Sequence, residues 1–248
     1  MRSLLRRFLP GRPPATFTAP LAPEVPFYVV GDIHGRLDLL EALLAQIVPD
    51  APLVFVGDYI DRGEQSAQVL RRVQEMDQAR ARAICLIGNH EDMLLKFLDD
   101  PVGRGRRWLR FGGLQTLSSF GIGPVAETSP PQALEQAGEA LAERMGAALI
   151  AWLRALPTSW QSGNVAVVHA GADPQLPLES QDPQALKWGH PAFRKTPRRD
   201  GIWVVHGHTI VDQPHAEAGR IAIDTGAFAT GRLTAARIAP GELRFLST

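Results

Sequence analysis

Short apolar runs alternate along the chain with stretches in which apolar residues recur at helical spacing. Five runs rich in β-branched and aromatic residues predict buried strands, at residues 27–30, 53–56, 83–87, 165–168 and 202–205. Apolar residues at helical spacing follow the first two runs. This order of strand, helix and strand predicts consecutive βαβ units with right-handed crossovers and a largely parallel sheet.

Side chains that can bind ions follow each predicted strand, next to a glycine. These are Asp32 and His34, then Asp58, Asp61 and Arg62, then Asn89 and His90, then His169, and finally His206 and His208. In open α/β sheets, ligands bind at the carboxyl ends of the strands. Asp and His offered together are typical ligands for hard-to-borderline metal ions. A turn carrying polar residues would explain one or two such ends, but not five.

These strand ends resemble the signature blocks of phosphoprotein phosphatases in the metallophosphoesterase (calcineurin-like) superfamily. The blocks are Gly31-Asp32-Ile33-His34-Gly35, Gly57-Asp58-Tyr59-Ile60-Asp61-Arg62-Gly63 and Gly88-Asn89-His90-Glu91, followed by His169-Ala170-Gly171 and Gly207-His208-Thr209. The similarity spans roughly residues 27–234 and is greatest to compact bacterial and phage serine/threonine phosphatases. It implies an α/β fold, a two-sheet α/β/β/α sandwich with a helical insert.

The remaining sequence suggests how this fold is divided. Residues 1–24 are rich in arginine and proline and predict a flexible N-terminal tail, with a weak helix at residues 3–9 as the alternative. Residues 25–248 form the predicted catalytic domain. Its helical insert covers about residues 93–160 and either caps the site or forms a plain packing layer.

Two further expectations concern the second half of the chain. Residues 135–156 predict one long amphipathic helix. The apolar stretches 220–224, 233–238 and 243–246 predict strands with no helices between them. Such strands favour an antiparallel second sheet.

Charge and cysteine content limit the classes of protein that the chain can represent. Of its 248 residues, 26 are Lys or Arg and 26 are Asp or Glu, so the formal net charge is zero. This balance argues against a general nucleic-acid or membrane-surface binder. Cys85 is the single cysteine, which excludes an internal disulfide. No apolar run reaches the length of a membrane span, and a cytoplasmic location without stable membrane association is expected.

The resemblance implies two divalent metal ions and a ligand set for each. Asp32 and His34 complete the first site with Asp58, and the second site uses Asn89, His169 and His208. Two cations about 3.5–4 Å apart need a bridging anion, and the Asp58 carboxylate is the candidate. Mixed imidazole and oxygen ligands suit Mn, Fe or Zn better than Ca, and Mn²⁺ is the expected ion. His206 is expected to be structural or to support a ligand.

The same resemblance assigns roles in phosphate-ester hydrolysis. His90 is the expected general acid that protonates the leaving oxygen, and Asp61 keeps its imidazole charged. Arg62 is expected to clamp two phosphate oxygens with its planar guanidinium.

A second phosphate-binding residue departs from the family pattern. Bacterial relatives place an arginine two residues after a tryptophan, where this chain has His190 after Trp188. Either His190 contacts phosphate, or Arg194 one turn later replaces the missing arginine; Arg194 is weakly favoured.

The function that these residues favour is a metal-dependent serine/threonine protein phosphatase, in which a metal-bridged hydroxide attacks phosphorus directly and in line. Its partner would be a phosphoprotein or a small phosphorylated molecule. The alternative is a hydrolase of dinucleoside polyphosphates such as diadenosine tetraphosphate. Symmetrical diadenosine tetraphosphatases resemble this chain but usually vary the stretch that matches Tyr59-Ile60-Asp61-Arg62-Gly63 and have Asp at the position of Glu91, so these residues favour the protein phosphatase. A non-catalytic scaffold is less favoured, because the expected ligands, Asp61, Arg62 and His90 are all present.

Overall fold

Ten strands form two sheets in the computed structural model, which describes residues 17–48, 51–79, 83–123 and 125–248. The strands are β1 Phe27–Val30, β2 Leu53–Phe55, β3 Ala83–Cys85, β4 Ser159–Ser162, β5 Val165–Val168, β6 Trp203–His206, β7 His215–Glu217, β8 Arg220–Ala222, β9 Thr234–Ala239 and β10 Glu242–Ser247. The helices are α1 Leu37–Leu44, α2 Ser66–Gln78, α3 Asn89–Asp99, α4 Pro101–Trp108, α5 Leu114–Ser119, α6 Pro131–Met145, α7 Ala147–Ala155, α8 Pro183–Trp188 and α9 Ala227–Thr230.

The first sheet has the strand order β10-β9-β1-β2-β3, and the second has the order β4-β5-β6-β8-β7. Strands β1, β2 and β3 are parallel, as the βαβ pattern predicts, with Tyr28 opposite Leu53. Strands β5, β6 and β8 are also parallel, while β4 and β7 pair antiparallel at the edges. The predicted five strand ends are therefore shared between two sheets.

Buried side chains on the two faces of the first sheet form two separate hydrophobic cores. Phe27 and Val29 pack with Val165 and Val167 in a core between the sheets. Tyr28, one residue along the strand, points to the opposite face and joins a larger core with the helices. Because successive side chains in a strand point to opposite faces, one strand supplies both cores. This arrangement confirms the predicted two-sheet sandwich.

The prediction of an antiparallel second sheet from the C-terminal strands is wrong. Strands β9 and β10 form a hairpin that extends the first sheet, with β9 antiparallel to β1. Only β8, at Arg220–Ala222, belongs to the second sheet, and it lies parallel to β6. The apolar pattern identifies a strand, but it carries no information on which distant strand will be its partner.

Most of α3 and all of helices α4 to α7 lie within the range predicted for the helical insert. The single helix expected over residues 135–156 is instead two helices, α6 and α7. Gly146 separates them with φ +78°, a left-handed backbone conformation that an α-helix cannot continue. None of the helices in the described ranges combines the length and apolarity needed to cross a lipid bilayer.

Residues 17–24 correct the prediction of a flexible tail, because they pack along the second sheet. The Ala22 N–H donates to the Asn164 side-chain oxygen at 2.7 Å. The Trp203 indole N–H donates to the Ala19 carbonyl at 2.9 Å. These hydrogen bonds satisfy backbone groups that a free tail would expose to water. The first sixteen residues, which include the predicted N-terminal helix, lie outside the described ranges.

Candidate active site

The predicted strand ends from both sheets meet at one place. The backbone N–H groups of Ile33 and His34 donate to the Asp58 carbonyl, which ties the loop after β1 to the loop after β2. The His208 N–H donates to the Asp32 carboxylate at 3.0 Å, which joins the second sheet to the first. The carboxyl ends of β1, β2 and β6 therefore share one cluster of polar side chains.

The backbone at this place is held in uncommon conformations. Within the described ranges six non-glycine residues have positive φ, and all but Ala218 carry predicted site chemistry: His34, Asp58, Asp61, Arg62 and His208. Non-glycine residues seldom adopt this region, because each costs on the order of 1–3 kcal/mol and persists only where the surrounding structure enforces it. The concentration of strained residues agrees with a functional site.

Two glycines allow the close approach of the loops. A Cβ atom on Gly207 would lie 1.9 Å from a carboxylate oxygen of Asp32. A Cβ atom on Gly88 would lie 2.1 Å from a carboxylate oxygen of Asp58. Both distances are far inside van der Waals contact, so only glycine fits beside these carboxylates.

Asp58 lies at the centre of the histidines. Its Oδ2 atom is 3.7 Å from Nε2 of His34, 3.4 Å from Nε2 of His169 and 3.8 Å from Nε2 of His90. Two groups of potential metal-binding atoms result, and Asp58 belongs to both: one includes His34 and His90, and the other includes His169 and His208. A carboxylate shared by two neighbouring groups is placed as the predicted bridging ligand would be.

The histidine tautomers can be deduced from their backbone partners. Nδ1 of His34 lies 2.7 Å from the Ile60 carbonyl, and Nδ1 of His169 lies 3.1 Å from the Val56 carbonyl. A carbonyl oxygen only accepts, so each Nδ1 carries a proton, and in the neutral form of either ring the lone pair is on Nε2, which faces the site. Hydrogen bonds of this kind orient metal-binding histidines in proteins.

Nitrogen atoms of two histidines lie next to the side-chain oxygen of Asn89. Its Oδ1 atom lies 2.9 Å from Nε2 of His169 and 2.8 Å from Nδ1 of His208. Burial lowers the pKa of His208 to about 4, so its ring is neutral at pH 7. A neutral imidazole can hold its proton on the other ring nitrogen, and the two histidine nitrogens and the Asn89 oxygen would then all offer lone pairs to a divalent cation. This donor set therefore fits metal binding, and neutral imidazole is the form that binds metal.

Asp224, a third carboxylate beside Asp32 and Asp58, adds to the negative charge and was not among the residues predicted from the sequence. Burial, together with Asp224 and Asp58, raises the pKa of Asp32 well above its usual range. For Asp58 burial acts in the same direction, but the imidazoles of His169 and His90 outweigh it and hold its pKa well below that range. Asp224 follows β8 and precedes Thr225 and Gly226, so the strand-end pattern that identified the other residues is present there also.

His90 and Asp61 form a buried pair, as predicted for a general acid and its partner. Nδ1 of His90 is 2.6 Å from Oδ2 of Asp61. Burial lowers the pKa of His90, but Asp58 and Asp61 outweigh it, and the pKa is raised overall. The indole of Trp108 and the hydroxyl of Thr116 also donate to Asp61, at 3.0 and 2.6 Å. Both come from the helical insert, so the insert supports the site directly.

Arg62 lies beside this pair. Its Nη2 atom is 3.2 Å from Nε2 of His90, and its guanidinium lies over the Phe228 ring at 4.6 Å from the centroid. Its backbone N–H donates to the Gly112 carbonyl of the insert. Packing on an aromatic ring limits the guanidinium to few orientations, which suits a group that must meet two phosphate oxygens.

Glu91 organises the backbone beneath the site. Its carboxylate accepts N–H groups from Asp58 at 2.8 Å, Tyr59 at 2.8 Å and Gly88 at 2.9 Å. Burial, followed by the nearby Asp58 carboxylate, raises the pKa of Glu91 to about 7. Glu91 therefore fixes the loop that carries Asp58 to the start of α3, which carries His90.

The predicted second phosphate-binding residue is not brought to Arg62. His190 lies 3.8 Å from an Asp173 carboxylate oxygen, and its Nδ1 accepts the Ala192 N–H at 3.3 Å. Arg194 is exposed and lines a cavity of about 140 Å³ together with His206. Within the described ranges no hydrogen bond joins His190 or Arg194 to Arg62, and the choice between them stays a prediction.

His206 takes no part in either metal-binding group. Its ring packs edge-on against Phe193 with centroids 5.0 Å apart, and its Nδ1 lies 3.0 Å from the Gly207 carbonyl. Burial lowers its pKa to about 4. These contacts agree with the structural role expected for His206.

A two-sheet sandwich with paired metal-binding groups at its strand ends defines the class of metal-dependent phosphoesterases. Residues 25–218 match the calcineurin-like phosphoesterase family, and the chain belongs to that family. The chain is therefore a hydrolase of phosphoric esters.

Individual relatives differ in the substrate that their names indicate. The symmetrical bis(5'-nucleosyl)-tetraphosphatase of Ralstonia nicotianae is 33% identical over 61% of this chain, but the chain spans only 44% of that relative. Serine/threonine-protein phosphatase 2 of Salmonella typhimurium is 28% identical, over 84% of this chain and 90% of the relative. Among solved structures, a candidate diadenosine tetraphosphatase superposes with a TM-score of 0.62, 23% identity and coverage of 93% of this chain and 98% of that chain. At that identity the structural likeness shows the fold alone.

Proposed function

We propose that the chain is a serine/threonine protein phosphatase. The observation that carries the proposal is the buried His90–Asp61 pair, which lies beside Arg62 and faces the shared carboxylate Asp58. The Salmonella typhimurium relative, matched along most of its length, supports it.

The metal centre of this proposal has two divalent ions, with Mn²⁺ preferred and Fe or Zn as alternatives. Asp32, His34 and Asp58 would hold one ion, and Asn89, His169 and His208 would hold the other with Asp58. When bound, such ions polarise phosphoryl oxygens and lower the pKa of coordinated water. The third carboxylate, Asp224, adds negative charge that favours cations at this place.

Each catalytic side chain then has a defined task. Arg62 binds two oxygens of the phosphoryl group, because its planar guanidinium matches their spacing. His90 donates a proton from Nε2 to the departing oxygen, since its Nδ1 is engaged with Asp61. Asp61 keeps the imidazolium oriented. We propose that the helical insert acts as a supporting cap, since its Trp108 and Thr116 hold Asp61 in place.

The acid pair favours an alkyl phosphate over a phosphoanhydride. A serine or threonine alkoxide is strongly basic and leaves poorly unless it is protonated. A nucleotide released from a polyphosphate chain leaves as a weakly basic phosphate and needs little protonation. General acid catalysis contributes typically about 10²–10⁴-fold, and this contribution is useful only for the basic leaving group.

Hydrolysis of dinucleoside tetraphosphates is the second candidate. The name of the Ralstonia nicotianae relative favours it. The metal-binding groups and Arg62 would serve this reaction equally well, whereas the His90–Asp61 pair would contribute little.

The test is phosphate release by metal-stripped protein to which Mn²⁺ is restored. The substrates are phosphoserine, phosphothreonine and phosphotyrosine peptides beside diadenosine tetraphosphate, each at matched concentration. Faster turnover of the phosphoserine and phosphothreonine peptides supports the proposal. Faster turnover of the dinucleotide would replace it with the second candidate.

A further inference from the structure

A small pocket with basic walls lies along α3, outside the proposed catalytic residues. Its volume is about 50 Å³. One water molecule needs about 10–15 Å³, so the pocket has room for a larger group. Met93 and Lys96 of α3, Arg104 and Arg107 of α4 and Trp188 of α8 line it. Three of these five lining residues are cationic, which makes an anion the expected occupant.

Trp188 and its neighbour Lys187 are fixed against α3 by one carboxylate. Asp92 accepts Nζ of Lys187 at 2.5 Å and Nζ of Lys96 at 2.6 Å. The Trp188 indole N–H lies 3.4 Å from the same carboxylate. Asp92 is thus shared by two lysines, so it offsets only part of their charge.

The two arginines of α4 add charge that is hardly balanced. Arg104 has its nearest carboxylate, that of Asp100, at 4.0 Å, and both side chains are more than half exposed. Arg107 lies over the Trp188 ring at 4.8 Å from the centroid, and no carboxylate lies within 4.0 Å of it in the described part of the chain. The pocket therefore presents a surplus of positive charge.

Helix α3 connects the pocket with the active site. Asn89 is the first residue of α3, and residues 89, 93 and 96 follow at spacings of four and three, which places them on one face of the helix. At 1.5 Å rise per residue, Lys96 lies about 10 Å from Asn89 along the helix axis. Arg107 directly precedes Trp108, whose indole donates to Asp61. The pocket is thus about 10 Å along α3 from Asn89, near the place where phosphate would bind.

We infer that this pocket binds a second anionic group of a phosphopeptide substrate, a phosphate or a carboxylate about three residues from the phosphorylated serine or threonine. The inference rests on the proposed function and deepens it. An extended chain advances about 3.3 Å per residue, so three residues span a distance of about 10 Å, which is the separation of the pocket from the phosphate-binding place. The substrate class is a multiply phosphorylated or acidic peptide.

The pocket fits a peptide anion better than a nucleoside. One face of the Trp188 ring is covered by Arg107, and its N–H is directed at Asp92, so that face is closed to a stacked base. The pocket is small, at about 50 Å³, and most of its lining residues are cationic, which suits a phosphate or a carboxylate. The small size and the charge therefore favour a compact anion.

The experiment compares kcat/KM for phosphoserine peptides that differ in one residue. The peptides carry Asp, phosphoserine, Ala or Lys three residues before or after the phosphoserine. For the natural chain we expect kcat/KM to be roughly fivefold higher for Asp than for Ala, and higher still for phosphoserine, which is the ratio that about 1 kcal/mol of ion pairing gives. The ratio should fall toward one as salt is raised, because exposed ion pairs are screened.

The variants are Arg107→Gln, which removes a pocket charge, and Arg106→Gln, which removes an exposed charge from the same helix that does not line the pocket. Arg107→Gln should bring the Asp-to-Ala ratio close to one, whereas Arg106→Gln should keep it. Melting temperatures check that both variants are folded. The ratio compares two substrates of the same protein, so a general loss of activity does not alter it.

The kinetic results separate failure of the pocket inference from failure of the proposed function. Equal kcat/KM for all peptides, or a ratio that Arg107→Gln leaves in place, overturns the inference while the protein phosphatase proposal stands. If no phosphopeptide is turned over but diadenosine tetraphosphate is, the proposed function fails first and the peptide inference fails with it. An effect of Arg107→Gln on the dinucleotide alone would assign the pocket to polyphosphate and overturn the peptide inference.

Discussion

Nδ1 of His90 lies 2.6 Å from a carboxylate oxygen of Asp61, and both side chains are almost completely buried. The contact leaves Nε2 of His90 directed towards Arg62 and Asp58. One ring nitrogen is thereby fixed by the protein, and the other is available to a substrate. Substitutions of His90 and Asp61 therefore test whether the leaving oxygen needs to be protonated.

Replacing His90 with Asn should impair phosphoserine peptide hydrolysis about 10²–10⁴-fold, because the alkoxide loses its proton donor. Loss on nitrophenyl phosphate should be below about tenfold, because nitrophenolate leaves without protonation. Steady-state kcat on both substrates measures the difference. Asp61→Asn should show the same pattern with a smaller loss on the peptide. Equal losses on the two substrates would remove the acid role.

Thr116→Val tests the support that the insert gives to Asp61. The Thr116 hydroxyl donates to the buried Asp61 carboxylate and accepts the Asp61 N–H, so valine removes two hydrogen bonds, one of them to a charged group. The free energy of unfolding should fall by about 1–3 kcal/mol, measured by urea denaturation. Thr196→Val, at an exposed position, is the control and should change it by less than about 0.5 kcal/mol. A Thr116 variant as stable as the control contradicts the prediction.

Asp58→Asn tests the bridging role of Asp58. An amide is neutral, so it offsets less of the repulsion between two cations. The variant should retain at most one equivalent of Mn²⁺ after dialysis, as measured by elemental analysis, where the natural chain retains two. Asp212→Asn, at an exposed position, should retain the natural content. Two equivalents in the Asp58 variant would show that another group bridges the ions.

Gly207→Ala tests the contact between the loops of the two sheets. An added Cβ would meet the Asp32 carboxylate at 1.9 Å, and Asp32 would have to move. Displacing a ligand should weaken Mn²⁺ binding about tenfold or more, measured by calorimetric titration. Gly123→Ala is the matched change, since no heavy atom of the described residues lies within 4 Å of its added Cβ. Equal affinity in both variants would mean that Asp32 does not bind the metal.

Replacing Asp92 with Asn should change how the free energy of unfolding depends on pH. Burial raises the pKa of Asp92, but Lys187 and Lys96 outweigh it and the pKa is lowered overall. A lowered folded-state pKa stabilises the fold above the unfolded value of about 3.9, and this contribution is lost as pH falls through the folded value. Unfolding by urea at pH 7 should therefore show a loss of about 1–3 kcal/mol in the variant. The gap should narrow below about pH 4. A gap that is independent of pH contradicts this origin.

The sequence was sufficient to identify the residues that meet at the strand ends. His169 and His208 lie far from Asp32 in the chain, yet each was predicted from the same local pattern of an apolar run, a glycine and a polar side chain. The pattern works because the carboxyl ends of parallel strands bring such residues to one edge. Asp224 was overlooked although it has this pattern, because its strand was assigned to an antiparallel sheet.

Contacts made by the insert could not be predicted from local patterns. Trp108 and Thr116 look like ordinary helical core residues in the sequence, and only the packing of α4 and α5 brings them to Asp61. The pairing of β9 with β1 and the break at Gly146 were missed for a related reason. Periodicity indicates which face of an element is buried but not what buries it.

The left-handed backbone at five site residues has a consequence for the history of the molecule. Glycine at His34 or His208 would relieve local strain, so some changes that remove a proposed metal ligand should make the folded chain more stable. Mutation without selection for activity would therefore erode these positions first, even in a protein that continued to fold.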